Sequence, residues 1–389
     1  MILATLHRAG SDPAAWCRVA LTKKPQGVGG PWTRLDTVRG AMLPSHTMKA
    51  IVIPRHGGPE VLQYTEISQP EPRPNEVLVR VRACALNHLD LWLRRGLPGI
   101  QFPLPLVPGS DIAGEIVQVG AQAQRVHVGD KVVLSPGVAC GQCPACSAGN
   151  DNQCRRYMLL GYMLNGGCAE YVVAPEVNAL PMPEGLSYEE ASAVPLVFLT
   201  AWHMLITRAQ LKPGEDVLVL GAGSGVGSAA IQIAKLVGAR VLATAGSQAK
   251  LDKARALGAH EVIHHGQQNI TEEVRRLTGR RGVDVVFEHV GQATWEQSVK
   301  SLATGGRLVT CGATTGATAQ IDLRLLFGRQ LSLLGSYMGS RGELFHVLKL
   351  FAEKKLRPVV DRVLPLADAA TAHELLEKRE QFGKVVLKV

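Results

Sequence analysis

Only 5% of this chain is aromatic and 19% charged. The basic residues behind its net charge of +9 are scattered rather than banked. With few rings to interleave, there is no stripe suited to nucleic acid, and the charge reads as solubility with some attraction for anions. Also missing is an apolar run long enough to span a bilayer. The most apolar stretch, residues 191–206, contains Pro195 and His203 and reads as a buried helix. No secretory-type apolar segment opens the chain, and no repeat or low-complexity tract is visible. A soluble, cytoplasmic protein that uses neither membrane nor nucleic acid is expected.

At 389 residues the chain exceeds the size at which one core keeps growing, so two domains are the default, and 46% apolar content is enough to fill them. The first 47 residues stand apart. They carry Arg8, Arg18, Lys23, Lys24, Arg34 and Arg39 against only Asp12 and Asp36, with no apolar period. An arginine-rich, acid-poor leader suits an organelle transit peptide; a disordered extension before a functional start at Met48 suits it as well. From Met48 the chain reads as short strands between turns (EVLVRVRACAL, GEIVQVG, DKVVLSP), which predicts a β-rich lobe. From Asp216 it changes to alternating strands and helices: DVLVLG, a helix from Ser228 to Val237, RVLATA, a helix from Gln248 to Leu257, then HEVIHH, VDVVFEHV, GRLVTCG and LSLLGS. Apolar strands separated by helices predict a parallel sheet covered on both faces.

Four cysteines, Cys140, Cys143, Cys146 and Cys154, stand in a C-x2-C-x2-C-x7-C run within a glycine-rich loop. That spacing suits a tetrahedral zinc held by four thiolates at about 2.3 Å. Two disulfides or four buried thiols are the alternatives, and nothing else in the chain looks secreted. A zinc closed by four sulfurs leaves no position for water or substrate, so one structural Zn2+ is expected.

The strand DVLVLG runs into Gly221-Ala222-Gly223-Ser224-Gly225-Val226-Gly227 and then a helix. Glycines there give a tight turn and let backbone approach a pyrophosphate, while the helix N-terminus offers free N–H groups to it. Ala222, Gly223, Ser224, Gly225, Val226 and Gly227 are therefore candidate dinucleotide-binding residues, although a strict G-x-G-x-x-G cannot be laid on them. After the next strand an NAD enzyme places Asp or Glu for the ribose 2′-hydroxyl. This chain has ATAGSQAK, with no acid. Ser247 can donate to a 2′-phosphate and Lys250 can neutralise it, so NADPH is expected; a capping serine and a solvated lysine is the plainer reading.

The cysteine cluster, the GAGSGVG turn and the flanking PGSDIAGEIVQVG, GDKVVL and LKPGEDVLVLGAGSGVG resemble the medium-chain dehydrogenase/reductase superfamily over essentially all of Met48 to Val389. The resemblance implies an α/β protein: a GroES-like β-rich catalytic domain plus a Rossmann doubly wound parallel sheet, with the active site between them. It places a leader at 1–47, the catalytic domain with its zinc loop at 48–197, the Rossmann domain at 198–335, and a return segment at 336–389. A homodimer through the last Rossmann strand, Leu331 to Met338, is also implied.

Zinc alcohol dehydrogenases of this superfamily hold a second, catalytic zinc by a cysteine in C-[HR]-[ST]-D, a histidine in GHE and a later cysteine. Here the corresponding residues are Asn87-His88-Leu89-Asp90, Gly109-Ser110-Asp111 and Leu196. All three ligands are gone, and Leu89 replaces the hydroxyl of the proton relay. Asn87 and Asp90 resemble the N-x-x-D motif of the quinone oxidoreductase branch, which works without catalytic zinc. Cys84, His88, Asp111 and Cys168 could in principle build another metal site, but their spacing fits no familiar pattern, and core packing is the expected fate of the two cysteines.

Without a Lewis acid, unactivated ketones and alcohols should be poor substrates, whereas quinones and α,β-unsaturated carbonyls spread the incoming charge. The resemblance thus implies hydride transfer from NADPH to a small quinone or enone, including enoyl thioesters. Asn87 would donate a hydrogen bond to the acceptor oxygen, Asp90 would orient its neighbours, and Leu89, Trp92, Leu196 and Met338 would shape the pocket or the core. An alcohol dehydrogenase or carbonyl reductase with an unorthodox metal, and a non-catalytic NADPH-binding protein, remain as alternatives.

Overall fold

The computed structural model describes residues 46–389. The expected leader, except for its last two residues, lies outside them. Strands β1 (Thr47–Val52), β2 (Gln63–Ser68), β3 (Glu76–Ala85), β4 (Asp111–Val119), β5 (Lys131–Leu134), β6 (Gly137–Val138), β7 (Met158–Leu159), β8 (Tyr171–Pro175) and β9 (Ala179–Pro181) come first. Then follow β10 (Asp216–Val219), β11 (Arg240–Ala245), β12 (Glu261–His264), β13 (Val283–Glu288), β14 (Leu302–Thr310) and β15 (Ser332–Gly335). The chain ends with β16 (Val360–Pro365) and β17 (Lys384–Lys388).

The six strands β10 to β15 form one parallel sheet in the order β12-β11-β10-β13-β14-β15. All four residues of β10 are buried, as a strand covered on both faces requires. The order reverses between β10 and β13, and in an open α/β sheet a ligand binds at the carboxyl ends of the strands at such a switch point. There the chain leaves β10 at Val219, running into Gly221, and leaves β13 at Glu288.

The other large sheet is mainly antiparallel and runs β16-β17-β3-β4-β5-β9, with β8 also on β3. Strand β3 is its hub, because its C-terminal half pairs with both β4 and β17. Ala85 lies opposite Asp111 on one side and Val386 on the other. Leu86 N–H then donates to Val385 O at 2.9 Å. This register brings the end of β3, the start of β4 and the start of β17 to one point, although Asp111 and Lys384 are 273 residues apart.

Two elements differ from the sequence expectation. The helix expected from Ser228 begins at Gly225, because Ser224 caps it: its Oγ accepts from Gly227 N–H at 2.9 Å, so the glycines wind into the first turn. The single buried helix expected over 191–206 is three pieces: Tyr188–Ser192, Pro195–Trp202, and a π-helical turn over His203–Arg208. Pro195 starts a fresh helix where its missing N–H leaves no bond unmade. Phe198 on the middle piece is 1% exposed and packs edge to face on Phe351 at 4.8 Å. It belongs to a continuous core that also holds Ile53, Val133, Ile231 and Phe287. Among the described residues no helix is long and apolar enough to cross a membrane.

His373, on the helix Ala369–Glu377, is fully buried, and neither ring nitrogen has a partner. Burial, with Arg94 and Arg95 nearby, pushes it from 6.5 down to about 3. Its folded pKa is below the unfolded one, so the unfolded chain binds the extra proton and stability falls as pH drops from 6.5 toward 3, by up to about 1.4 kcal/mol per pH unit. Melting curves of His373→Leu should lose stability less steeply than wild type between pH 6.5 and 4.5; an unchanged slope would show that this histidine does not set the acid limb.

Candidate active site and metal centre

The loop after β6 brings Cys140, Cys143, Cys146 and Cys154 together, with all four sulfurs within 4.8 Å of one another. Cys140 and Cys146 are 3.9 Å apart, and Cys143 and Cys146 3.5 Å. A tetrahedral zinc with bonds of about 2.3 Å sets its sulfurs about 3.8 Å apart, so the quartet fits one ion. Backbone N–H groups of Cys140 and Arg156 approach Cys154 Sγ at 3.5 and 3.4 Å. The Gln142 backbone N–H and then the Arg156 side chain bring the Cys140 thiol down to about 5, and the Cys143 thiol is also lowered by the Cys146 backbone. Burial raises Cys146 to about 12. Cys84 and Cys168 lie elsewhere, fully buried with sulfurs 3.9 Å apart. With His88 and Asp111 they do not form a second metal cluster among the described residues.

The glycine turn has the geometry a pyrophosphate needs. Gly221 has φ +58°, and a side chain on Gly227 would fall 2.4 Å from Gly221 O, so both positions demand glycine. Ser224 Oγ donates to Gly221 O at 2.8 Å while it caps the helix. Gly225 and Val226 occupy the first two helical positions, whose N–H groups have no acceptor within the helix. Ala222 is anchored by its N–H to Thr244 O at 2.8 Å. At the end of β11, Ser247 heads the next helix without using its side chain as a cap, leaving the hydroxyl available. The Lys250 stem lies beside Gly223, where an added Cβ would meet its Cδ at 3.0 Å; its ammonium donates to Arg379 O. Burial lowers Lys250 below its ordinary pKa.

Asn87 and Asp90 begin the helix His88–Arg95. Asp90 Oδ2 accepts the Asn87 N–H at 2.7 Å and Oδ1 accepts the Gly109 N–H at 3.1 Å. This is half of a capping box. The Asn87 amide also turns to Asp111: Nδ2 donates to Asp111 Oδ2 at 2.9 Å, while Oδ1 accepts from Lys384 Nζ. Lys384 Nζ also reaches Asp111 Oδ2 at 2.8 Å, and Leu196 N–H donates to Asp111 Oδ1 at 2.7 Å. Asp90 and Asp111 are fully buried, and Lys384 is 3% exposed. Burial raises Asp90 to about 7 against its two backbone donors and the Lys384 charge. Asn87, Asp111 and Leu196 thus form one hydrogen-bonded knot around an ammonium.

Sequence reasoning missed Lys384 entirely and saw Asp111 only as a metal candidate. A lysine opening a C-terminal strand carries no local sign of burial. His289, at the end of β13, was also missed: its Nε2 lies 2.8 Å from Leu220 O at the switch point, and burial lowers it. His265 and Arg379 join Ser247 and Lys250 at the end of β11, since a Cβ on Gly246 would meet His265 Nε2 at 3.0 Å. Of the pocket residues expected, Met338 is buried in the core, and Leu89 and Leu196 pack partly buried against it. Trp92 stacks edge to face on His88 at 5.4 Å.

Comparison with known proteins supplies the wider setting. The model of the alcohol dehydrogenase GroES-like domain matches residues 73–184, and that of the zinc-binding dehydrogenases matches residues 225–353. The quinone oxidoreductase of Homo sapiens is 31% identical, over 87% of this chain and 97% of its own. A solved structure of an NAD-dependent alcohol dehydrogenase is 51% identical, with a TM-score of 0.85 over 88% of this chain and all of that one. A crotonyl-CoA carboxylase/reductase solved with NADP is 26% identical, with a TM-score of 0.82 over 88% of this chain and 95% of its own.

The cysteine quartet yields a direct test. Cys143→Ser should abolish zinc release, followed with a chromophoric chelator after thiol modification, from one ion per chain to none. It should leave NADPH binding by fluorescence within about threefold, since metal loss unfolds the part of the chain the metal organises. A wild type that releases no zinc would sink the assignment.

Proposed function

Since the chain belongs to the zinc-binding medium-chain dehydrogenase/reductase superfamily, in its quinone oxidoreductase-like branch, we propose that it reduces quinones or α,β-unsaturated carbonyls, enoyl thioesters included, with NADPH and without a catalytic zinc. The observation that carries this reading is the state of the three positions that ligate the catalytic metal in zinc alcohol dehydrogenases. Asn87, Ser110 and Leu196 offer no metal ligand set, and Asp111 ties Asn87 and Leu196 together instead. The crotonyl-CoA carboxylase/reductase likeness supports an enoyl-type acceptor.

NADPH, when bound, supplies the hydride. The chain's residues do the rest. The amides of Gly225 and Val226 receive the pyrophosphate, and Ser247, Lys250, His265 and Arg379 face the 2′-phosphate with no acid among them. Asn87 has a second amide hydrogen held only by Ala85 O at 3.5 Å, and this one turns to the acceptor oxygen. Solvent supplies the proton, so that NADPH, H+ and the acceptor give NADP+ and the two-electron-reduced product. One structural Zn2+ sits in the cysteine quartet. A homodimer forms through β15, an edge strand beside which Leu323 and Phe327 stand exposed.

The 51% identical structure favours a second reading, an NAD-linked alcohol dehydrogenase. Initial rates with a panel of quinones, enones and simple alcohols, each with both nucleotides, separate the two. NADPH-dependent turnover of the conjugated acceptors and none of the alcohols is expected; NAD-linked alcohol oxidation would replace the reading. Ser247→Asp should shift the NADPH-to-NADH ratio of kcat/KM at least about tenfold toward NADH, roughly 1.4 kcal/mol. Asn87→Ala should lower kcat by about tenfold, less than the loss from strong oxyanion holes, with NADPH Kd little changed; full activity would remove Asn87 from the acceptor site.

A further inference from the structure

The nucleotide turn follows the carboxyl end of β10, and a polar cavity of about 180 Å³ sits at the opposite, amino end of the same sheet. Its charged walls are Arg275, Arg280, Arg281, Lys300 and Arg329, with Thr304 beside them and no acidic residue among them. From Gly282 in the wall to Glu288 at the end of β13 the chain runs about 20 Å. Two of the cations have carboxylate partners: Arg281 pairs with Asp216 and Asp284, each at 2.7 Å, and Lys300 with Glu296 at 2.5 Å. Arg329 has no carboxylate partner, and its Nη1 donates to Leu302 O at 3.2 Å. The Arg275 and Arg280 side chains and the Thr304 hydroxyl have no hydrogen-bond or ionic partner among the described residues. Helix ends explain part of this gathering. Arg275 and Lys300 stand in the last turns of Ile270–Leu277 and Gln292–Lys300, where a helix C-terminus carries about half a negative charge. Three guanidiniums without a carboxylate, less about half a charge for each of those two ends, leave about two positive charges facing one small cavity. Like charges gathered in this way repel, and an anion between them relieves the repulsion.

We propose that this cavity binds a phosphate-type dianion, either the free ion or the terminal phosphate of a larger ester, independently of the nucleotide site. Size sets the class. Drug-sized ligands occupy about 300–1,000 Å³, so this cavity takes one such group and not a nucleotide. Donor geometry sets the chemistry, because a guanidinium presents its N–H groups in a planar fork that matches phosphate oxygens two at a time. Arg281 is already held by Asp216 and Asp284, and Arg329 by Leu302 O. Arg275 on the helix and Arg280 in the turn after it supply unengaged guanidiniums, and Thr304 Oγ1 adds a neutral donor. An occupant joins the 278–282 turn, the start of β14 and Arg329, which shortly precedes the edge strand β15. The inference goes beyond the reductase reading and does not depend on it.

The test uses the full chain saturated with NADPH, so that the cofactor's own phosphate contacts are filled, titrated with inorganic phosphate and with glycerol 3-phosphate at constant ionic strength. Calorimetry should give one saturable site per chain, and the melting temperature should rise with either ligand as mass action requires. Arg280→Gln removes a side chain with no structural partner, so it should leave the ligand-free melting temperature unchanged. It should raise Kd at least about tenfold, the size of one lost charge-assisted hydrogen bond. The double variant Arg280→Gln/Arg329→Gln should show no saturable binding. Arg276→Gln, on the same helix but outside the walls, should leave Kd within about twofold. A tighter Kd for glycerol 3-phosphate assigns the site to the terminal phosphate of an ester, and a tighter Kd for phosphate assigns it to the free ion. Wild type with no saturable binding overturns the inference. So does a wild-type Kd in the double variant, which would place the ion elsewhere on the chain. An equal rise in melting temperature with potassium chloride at matched ionic strength also overturns it, since the effect would then be screening alone.

Discussion

The Asp111 carboxylate, fully buried, holds three parts of the chain at once. It accepts from Asn87 at the end of β3, from Lys384 at the start of β17, and from the Leu196 backbone at the head of the Pro195–Trp202 helix. A buried charge persists only when it is paired and its lone pairs are filled, and removing one partner from such a pair typically costs about 3–5 kcal/mol. The pairing of Ala85 with both Asp111 and Val386 is what makes the meeting possible. Shift β17 by one residue and Lys384 would face away from Asp111, leaving a buried carboxylate without its cation.

The same strand ties the two sheets into one working unit. Gly383 N–H donates to Gly223 O in the glycine turn, and the next residue, Lys384, reaches Asp111 in the knot. The turn accepts this only because Gly225 has no side chain in the way of the lysine stem. In the proposed reading the nucleotide turn and the knot are therefore held by neighbouring residues of one short segment, so small errors in one transmit to the other. The cysteine loop is a separate body of support: Asp151 accepts the Arg341 N–H at 3.0 Å, and Asn152 donates to Tyr337 O at 3.2 Å. It braces residues 337–341 and brings no ligand to the knot.

What was legible in the sequence was local. The cysteine quartet falls within fifteen residues, and its spacing alone suits a tetrahedral metal site. The glycine turn likewise lies between one strand and one helix, although its capping serine moved the helix start to Gly225. The absence of an acid after β11 could be read directly. The knot could not, since Asp111 and Lys384 lie 273 residues apart and meet only through strand register. Asn87 shows the middle case: its motif pointed to the site, but not to an amide already engaged by Asp111 and Lys384. His265 and Arg379 reach the end of β11 by the same long-range folding.

The claim beneath all of this is that one closed, all-sulfur zinc suffices and that side chains fill the catalytic metal's place. Zinc-edge X-ray absorption on the protein as isolated, in a sample whose NADPH-dependent turnover has been measured, tests it most directly. A single zinc per chain with only sulfur neighbours at about 2.3 Å is predicted. A second zinc, or nitrogen and oxygen neighbours in the averaged shell of an active sample, would contradict it.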